Sequence, residues 1–173
     1  LMKSKTTLIL LTLLLVSASM VFGETMKVYA AEQWQQSGVY VEPGDDLRVT
    51  ATGTITYNKS GGVDIAPYGN PDAPEASRSY PLPGVPEGAL IARVGYENPF
   101  FIGDLFQGAV QTRGQLMFRI NDKDWQLSDN SGYFKITLLT DEEARAAADE
   151  DERDYYEKEE YYEEEYEEEE YYE

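Results

Sequence analysis

The chain has 173 residues, a formal net charge of −19, and neither Cys nor His. That excludes disulfides, thiolate nucleophiles, Cys/His zinc sites and His-based catalytic triads, and it restricts any bound metal to oxygen ligands, the chemistry of a hard cation such as Ca2+. The charge is uneven: residues 141–173 hold 19 acids and 3 bases, residues 24–140 hold 14 acids and 9 bases. The part expected to fold is therefore only mildly acidic, and with no basic face for phosphates it is not read as a nucleic-acid binder.

Residues 1–23 read as an export signal. Lys3 and Lys5 precede the apolar run TTLILLTLLLV, and small residues follow at Ser17, Ala18, Ser19 and Gly23. About ten apolar residues fall short of the roughly 20 that span a bilayer. Cleavage is expected after Gly23, with Ser19 or Ala30 as alternatives and a retained N-terminal anchor as the competing reading. The expected location is secreted, at the cell surface or in a periplasm, with no stable membrane span after cleavage.

Residues 24–140 form the expected domain, and their periodicity is two. Leu47, Val49, Ala51, Ile55 and Tyr57 alternate with Arg48 and a series of threonines, and the pattern recurs at Leu90/Ala92/Val94, Leu116/Phe118/Ile120 and Phe134/Ile136/Leu138. Turn residues separate these runs at Pro43-Gly44-Asp45, Asn98-Pro99, Arg113-Gly114 and Asn130-Ser131-Gly132. The predicted class is all-β, an antiparallel β-sandwich or jelly roll. Residues 63–88 hold six of the eight prolines and read as one long irregular loop. Tyr68 and Tyr80 in that loop could stack on a ligand or cover a core edge.

The stretch INDKDWQLSDNSGYF, residues 120–134, gathers Asp122, Asp124, Asp129 and Asn130 between two strand patterns. An EF-hand is excluded, because counting from Asp122 places Leu127 where Gly is needed and Tyr133 where Glu is needed. A loop between strands could still hold Ca2+ with Asp122, Asp129 and the Asn130 amide. Asp and Asn also cap turns through their own backbone, so the composition alone leaves both readings open.

After Thr140, a capping-box pattern with Glu143 and acid–base pairs four residues apart suggest a short helix near 141–153. The remainder is Glu/Tyr-rich with no aliphatic side chain from 155 to 173, and disorder is expected of it.

Read in order, ALIARVG at 89–95, GQLMFRIND at 114–122 and DNSGYFKI at 129–136 resemble the PA-IL-like galactophilic lectins of bacteria. PGDDLRVTATGTITY at 43–57 and Trp34 fit as well, so the resemblance covers nearly all of 34–138. It implies a galactose-binding-like sandwich with one Ca2+, held by the side chains of Asp122, Asp129 and Asn130 and by backbone oxygens of Tyr57 and Gln126. Sugar hydroxyls would complete the coordination, with Tyr68, Asn70, Asp72 and Tyr80 as candidate sugar contacts. Three features depart from the family: a sugar-contacting His of its middle loop has no counterpart, the loop is longer and diverges after Pro67, and the acidic tail lies outside the family pattern.

The expected function is a secreted, non-enzymatic, calcium-dependent carbohydrate-binding protein, its ligand of galactose type and the chain a homo-oligomer. The competing reading is a calcium-stabilised structural or filament subunit on the same sandwich. A hydrolase comes third, since acid pairs in a sequence do not establish two carboxylates across a cleft.

Overall fold

A computed structural model describes residues 23–57, 62–141, 143, 144, 147 and 151. The expected signal, but for Gly23, and the Glu/Tyr-rich tail from residue 152 lie outside the described residues. The described chain is built of antiparallel strands in two sheets, the predicted β-sandwich class.

The first sheet is organised by its last strand. β10 (Ser131–Thr140) pairs along one edge with β1 (Glu24–Tyr29) and along the other with β3 (Asp46–Thr52) and β4 (Ile55–Tyr57). β8 (Leu105–Ala109) extends the sheet beyond β3, and β5 (Val63–Ile65) extends it beyond β4. Gly53, at φ +97, turns the chain between β3 and β4, a conformation that costs glycine little and other residues more. The second sheet runs β2 (Gln35–Val41), β9 (Gly114–Ile120), β6 (Leu90–Val94) and β7 (Phe100–Phe101).

The period-two pattern finds its cause here. Leu47, Val49 and Ala51 of β3, Phe134, Ile136 and Leu138 of β10, and Leu116, Phe118 and Ile120 of β9 are all buried in one apolar core. Each such side chain contributes about 1.5–3 kcal/mol when removed from water. Ile91 and Arg119 depart from the alternation, being buried although their neighbours fill the core. Both belong to the second sheet, so its outer surface is covered there.

The long loop is shorter than expected at its start, because Val63–Ile65 pair with β4 as β5. The chain from Ala66 to Ala89 then folds on itself: Asn70 N–H donates to the Glu87 carbonyl at 2.9 Å, Ala76 N–H to Val85 at 3.1 Å, and Gly84 N–H to Ala76 at 2.9 Å. Such a loop with paired ends is a compact surface element rather than slack chain.

Beyond Thr140 the chain touches the sandwich. Ala144 is buried, and Asp151 forms an ion pair with Arg48 of β3 at 2.6 Å. Among the described residues no helix is long and apolar enough to cross a membrane.

Candidate functional site

The β9–β10 connection leaves the second sheet at Ile120 and enters the first at Ser131, so residues 121–130 bridge the two sheets at one end of the sandwich. Asn121, fully buried, fastens the long loop to this connection. Its Oδ1 accepts from Leu82 N–H at 3.0 Å, its Nδ2 donates to the carbonyls of Leu82 at 2.9 Å and Val85 at 3.3 Å, and its backbone N–H donates to Ala89 at 2.7 Å. Gly88 N–H returns a bond to the Asn121 carbonyl at 2.9 Å. Gly88 adopts φ +74, and a Cβ there would lie 2.1 Å from Ile65 Cδ1, so no larger residue fits without displacement.

This fastening brings Glu87 beside the bridge. The Tyr57 hydroxyl at the end of β4 lies 3.0 Å from Glu87 Oε2, 3.3 Å from Asp122 Oδ1 and 3.4 Å from the Tyr80 hydroxyl. Tyr80 donates to the other Glu87 oxygen. Asp122, fully buried, accepts from Asn130 Nδ2 at 2.8 Å and from Lys123 N–H at 2.7 Å. Three chain segments, the end of β4, the long loop and the β9–β10 bridge, thus converge on two carboxylates.

The electrostatics record the burial. Loss of solvent raises the Asp122 carboxyl above the ordinary carboxylate range, with Asp129 adding to the rise and the Asn130 and Lys123 bonds opposing it. The Tyr57 phenol is pushed far up, first by burial, then by its contact with Tyr80 and the charge of Asp122. Burial and the bond to Glu87 push Tyr80 up to about 12. The cluster favours neutral phenols and disfavours an ionised, uncompensated Asp122.

Of the five residues the resemblance implied as metal ligands, the structure gathers Asp122 and Asn130 in direct contact, with Asp129 close enough to act on the Asp122 charge. Gln126 opens the 3-10 turn Leu127–Asp129. Its carbonyl accepts from Asp129 N–H at 3.1 Å, and its side-chain Oε1 is buried without a hydrogen-bond partner. Tyr57 reaches the cluster through its hydroxyl. Asp124 turns away to Arg119, at 2.7 Å.

The expected sugar contacts scatter more. Tyr80 is only 6% exposed, with Lys123 Nζ 4.7 Å from its ring centroid, so it is not the open stacking platform the sequence suggested. Its hydroxyl is engaged in the cluster instead. Tyr68 is exposed and packs edge-on against Phe101 at 5.5 Å. Asn70 uses its side-chain oxygen to cap its own turn, accepting from Asp72 N–H at 3.0 Å, and Asp72 is exposed. Glu87 was missed. Its signal was slight, a single acid between Pro86 and Gly88 at the end of a proline-rich loop.

The residues suit a hard cation in type. Asp122 and Asp129 supply two carboxylates, Asn130 and Gln126 neutral oxygens, and a cation would offset the cost of ionising Asp122 in a buried place. Among the described residues no three His, Cys, Asp or Glu groups gather into a cation site, so such an ion would depend on two carboxylates completed by amide and backbone oxygens.

No protein-family model matches the chain. Over 110 residues it is 27% identical to Lectin A of Photorhabdus laumondii subsp. laumondii, an alignment spanning 63% of this chain and 84% of that protein. A solved structure, the EclA N-terminal domain, a PllA-like lectin, matches with a TM-score of 0.55 at 23% identity, covering 68% of this chain and 95% of that one. The chain thus resembles a bacterial Lectin A in sequence and shares the fold of a PllA-like lectin domain.

Proposed function

We propose that this chain is a secreted, calcium-dependent carbohydrate-binding protein and not an enzyme. The observation that carries the reading is the convergence of the β9–β10 bridge, the end of β4 and the long loop on Asp122, in a sandwich similar to lectins. Asp122, Asp129 and Asn130, with backbone oxygens of Tyr57 and Gln126, would hold the Ca2+. A bound Ca2+ would supply exchangeable coordination positions in which sugar hydroxyls replace water. Asn121 and Gly88 keep the long loop against this place, so its residues set which sugar fits. The Tyr57 hydroxyl lies within hydrogen-bond reach of both Glu87 and Asp122. That fills the space a glycosidase would leave between its two carboxyl groups for the scissile bond.

The sugar class is proposed as galactose type, and assembly into a homo-oligomer is proposed because linked weak sites gain roughly 10²–10⁴ in avidity. A glycan-binding screen with and without a chelator tests the proposal. Binding should disappear with chelator and with Asp129→Ala. A blank screen combined with calcium-driven growth in mass, seen by light scattering, would replace it with the structural-subunit reading.

A further inference from the structure

A second hollow adjoins the cluster and uses none of the residues assigned to calcium. About 360 Å3 in volume, it lies between Trp34, the β6–β7 turn and the first part of the β9–β10 bridge, a size within the range of small-molecule sites. Two guanidinium groups flank the Trp34 ring, Arg93 at 4.3 Å from its centroid and Arg119 at 5.5 Å. Arg93 also lies 5.5 Å from the Tyr96 centroid.

The two arginines differ in how their hydrogen bonds are used. Arg119 is fully engaged, donating to Asp124 at 2.7 Å, to the Asp122 carbonyl at 2.6 Å and to the Ile120 carbonyl at 3.0 Å. Arg93 is not. Among the described residues its donor contact is with the Met117 sulfur at 3.6 Å, its Nε is buried without a hydrogen-bond partner, and no carboxylate forms an ion pair with it. Glu97 lines the same hollow without closing on it. Burial lowers the pKa of Arg93 from the ordinary arginine value, Tyr96 opposes this, and the charge of Arg119 adds to it. A half-buried guanidinium held between rings and lacking an acid is a receptor for a carboxylate, whose two oxygens match its planar fork.

The rim supplies the rest. Trp125 is 71% exposed and Tyr96 is 95% exposed. Free-standing rings beside a polar anchor suit a ligand with one apolar face and one charged group. An acidic sugar has both, since its C–H face stacks and its carboxylate seeks arginine. We propose that this hollow binds a carboxylate-bearing sugar residue, of the uronic-acid kind, with its carboxylate on Arg93 and its ring beside Trp125 and Tyr96. The site needs no metal. It could hold an acidic unit of a longer saccharide, but it stands or falls separately from calcium-dependent binding.

The test uses the full chain in chelator, with tryptophan fluorescence and the indole N–H signals of Trp34 and Trp125 as readouts. Sodium glucuronate, glucose and sodium acetate are titrated in parallel. Glucuronate should bind about tenfold tighter than either of the others, as expected for a charge-assisted bond added to ring stacking. Arg93→Gln should erase the preference over glucose. Trp125→Ala, at an exposed position that does not challenge folding, should weaken glucuronate several-fold and leave any calcium-induced rise in Tm unchanged. Equal binding of glucuronate and glucose, acetate binding as tightly as glucuronate, or an intact preference in Arg93→Gln would each overturn the proposal. Loss of neutral-sugar binding on chelation is read in a separate experiment without glucuronate, so the failure of one site does not mask the other.

Discussion

Two adjoining regions of this molecule differ in charge, one acidic and one balancing two arginines against two acids, although one short segment, residues 119–125, contributes to both. In one, Asp122 and Glu87 sit among tyrosine hydroxyls and amides. In the other, Arg93 and Arg119 flank Trp34 beside Asp124 and Trp125. Arg119, Asp124 and Trp125 face the hollow, Asp122 faces the cluster, and Asn121 holds the long loop. Tyr80 serves both, its ring lining the hollow and its hydroxyl reaching Glu87. An acidic loop is thus not one uniform site. Neighbouring carboxylates take different work according to the direction each side chain leaves the backbone, and only Asp122 is withdrawn from water.

The largest effect expected is on the acidic region alone. Calcium at 100 times its dissociation constant should add about 2.7 kcal/mol of stability, measured as a rise in Tm that chelator reverses. Asp122→Ala and Asp129→Ala should each abolish that gain, while Trp125→Ala should retain it. A Tm indifferent to calcium would show that the acidic region holds no cation.

Next comes the residue that holds the regions together. Asn121→Ala removes side-chain bonds to Leu82 and Val85 in a fully buried place. Leaving buried groups unpaired costs about 1–3 kcal/mol each at most sites. The variant should lose stability on that scale, and protease should cut first within residues 66–89. An intact loop in a destabilised variant would show that the loop is fastened by its own backbone bonds instead.

The third effect depends on pH and belongs to the buried carboxylate of Asp122. The folded protein holds the Asp122 proton to higher pH than the unfolded chain does, chiefly because of burial. As pH rises from the ordinary carboxylate value through the raised folded value, the folded state gives up a proton that the unfolded state has already lost, so stability falls. In chelator, the stability of the native protein relative to Asp122→Asn should therefore decline across that window. A difference that stays level across that window would show that burial does not hold the Asp122 proton.

How much of this was legible in the sequence follows from the distance over which each feature is determined. Alternation exposed β3, β6, β9 and β10 because one face of each strand meets the core, a local property of consecutive residues. It missed β1, β2 and β8, whose alternation carries few large apolar side chains, and it missed β5 and β7, of three and two residues, which are too short for a period to show. Asp122 and Asn130 were legible as a spacing within one loop. Glu87 was not, since it joins Asp122 only through Asn121 and Tyr57, contacts set by tertiary folding. Arg119 gave no signal either, and Trp34 entered only as part of the family resemblance. An arginine in a strand ordinarily faces water, and here it is buried beneath Trp34 and the bridge.

The smallest expected effect sharpens the boundary between the regions. Asp124 is the carboxylate paired with Arg119, and its side chain is largely exposed. The pair joins a buried guanidinium to a largely exposed carboxylate, and Arg119 keeps its bonds to the Asp122 and Ile120 carbonyls, so Asp124→Ala should cost about 1 kcal/mol, the upper end of the range for surface ion pairs. It should leave calcium stabilisation nearly intact, because its side chain is turned toward Arg119. Removing that negative charge also leaves the hollow more positive, with Arg93 and Arg119 facing it and Glu97 as its remaining acid. Glucuronate binding should then tighten by a few-fold in low salt and return toward the native value as salt screens the charges. If Asp124→Ala weakened calcium binding as much as Asp129→Ala, the two regions would be one electrostatic unit and the division drawn between them would fail.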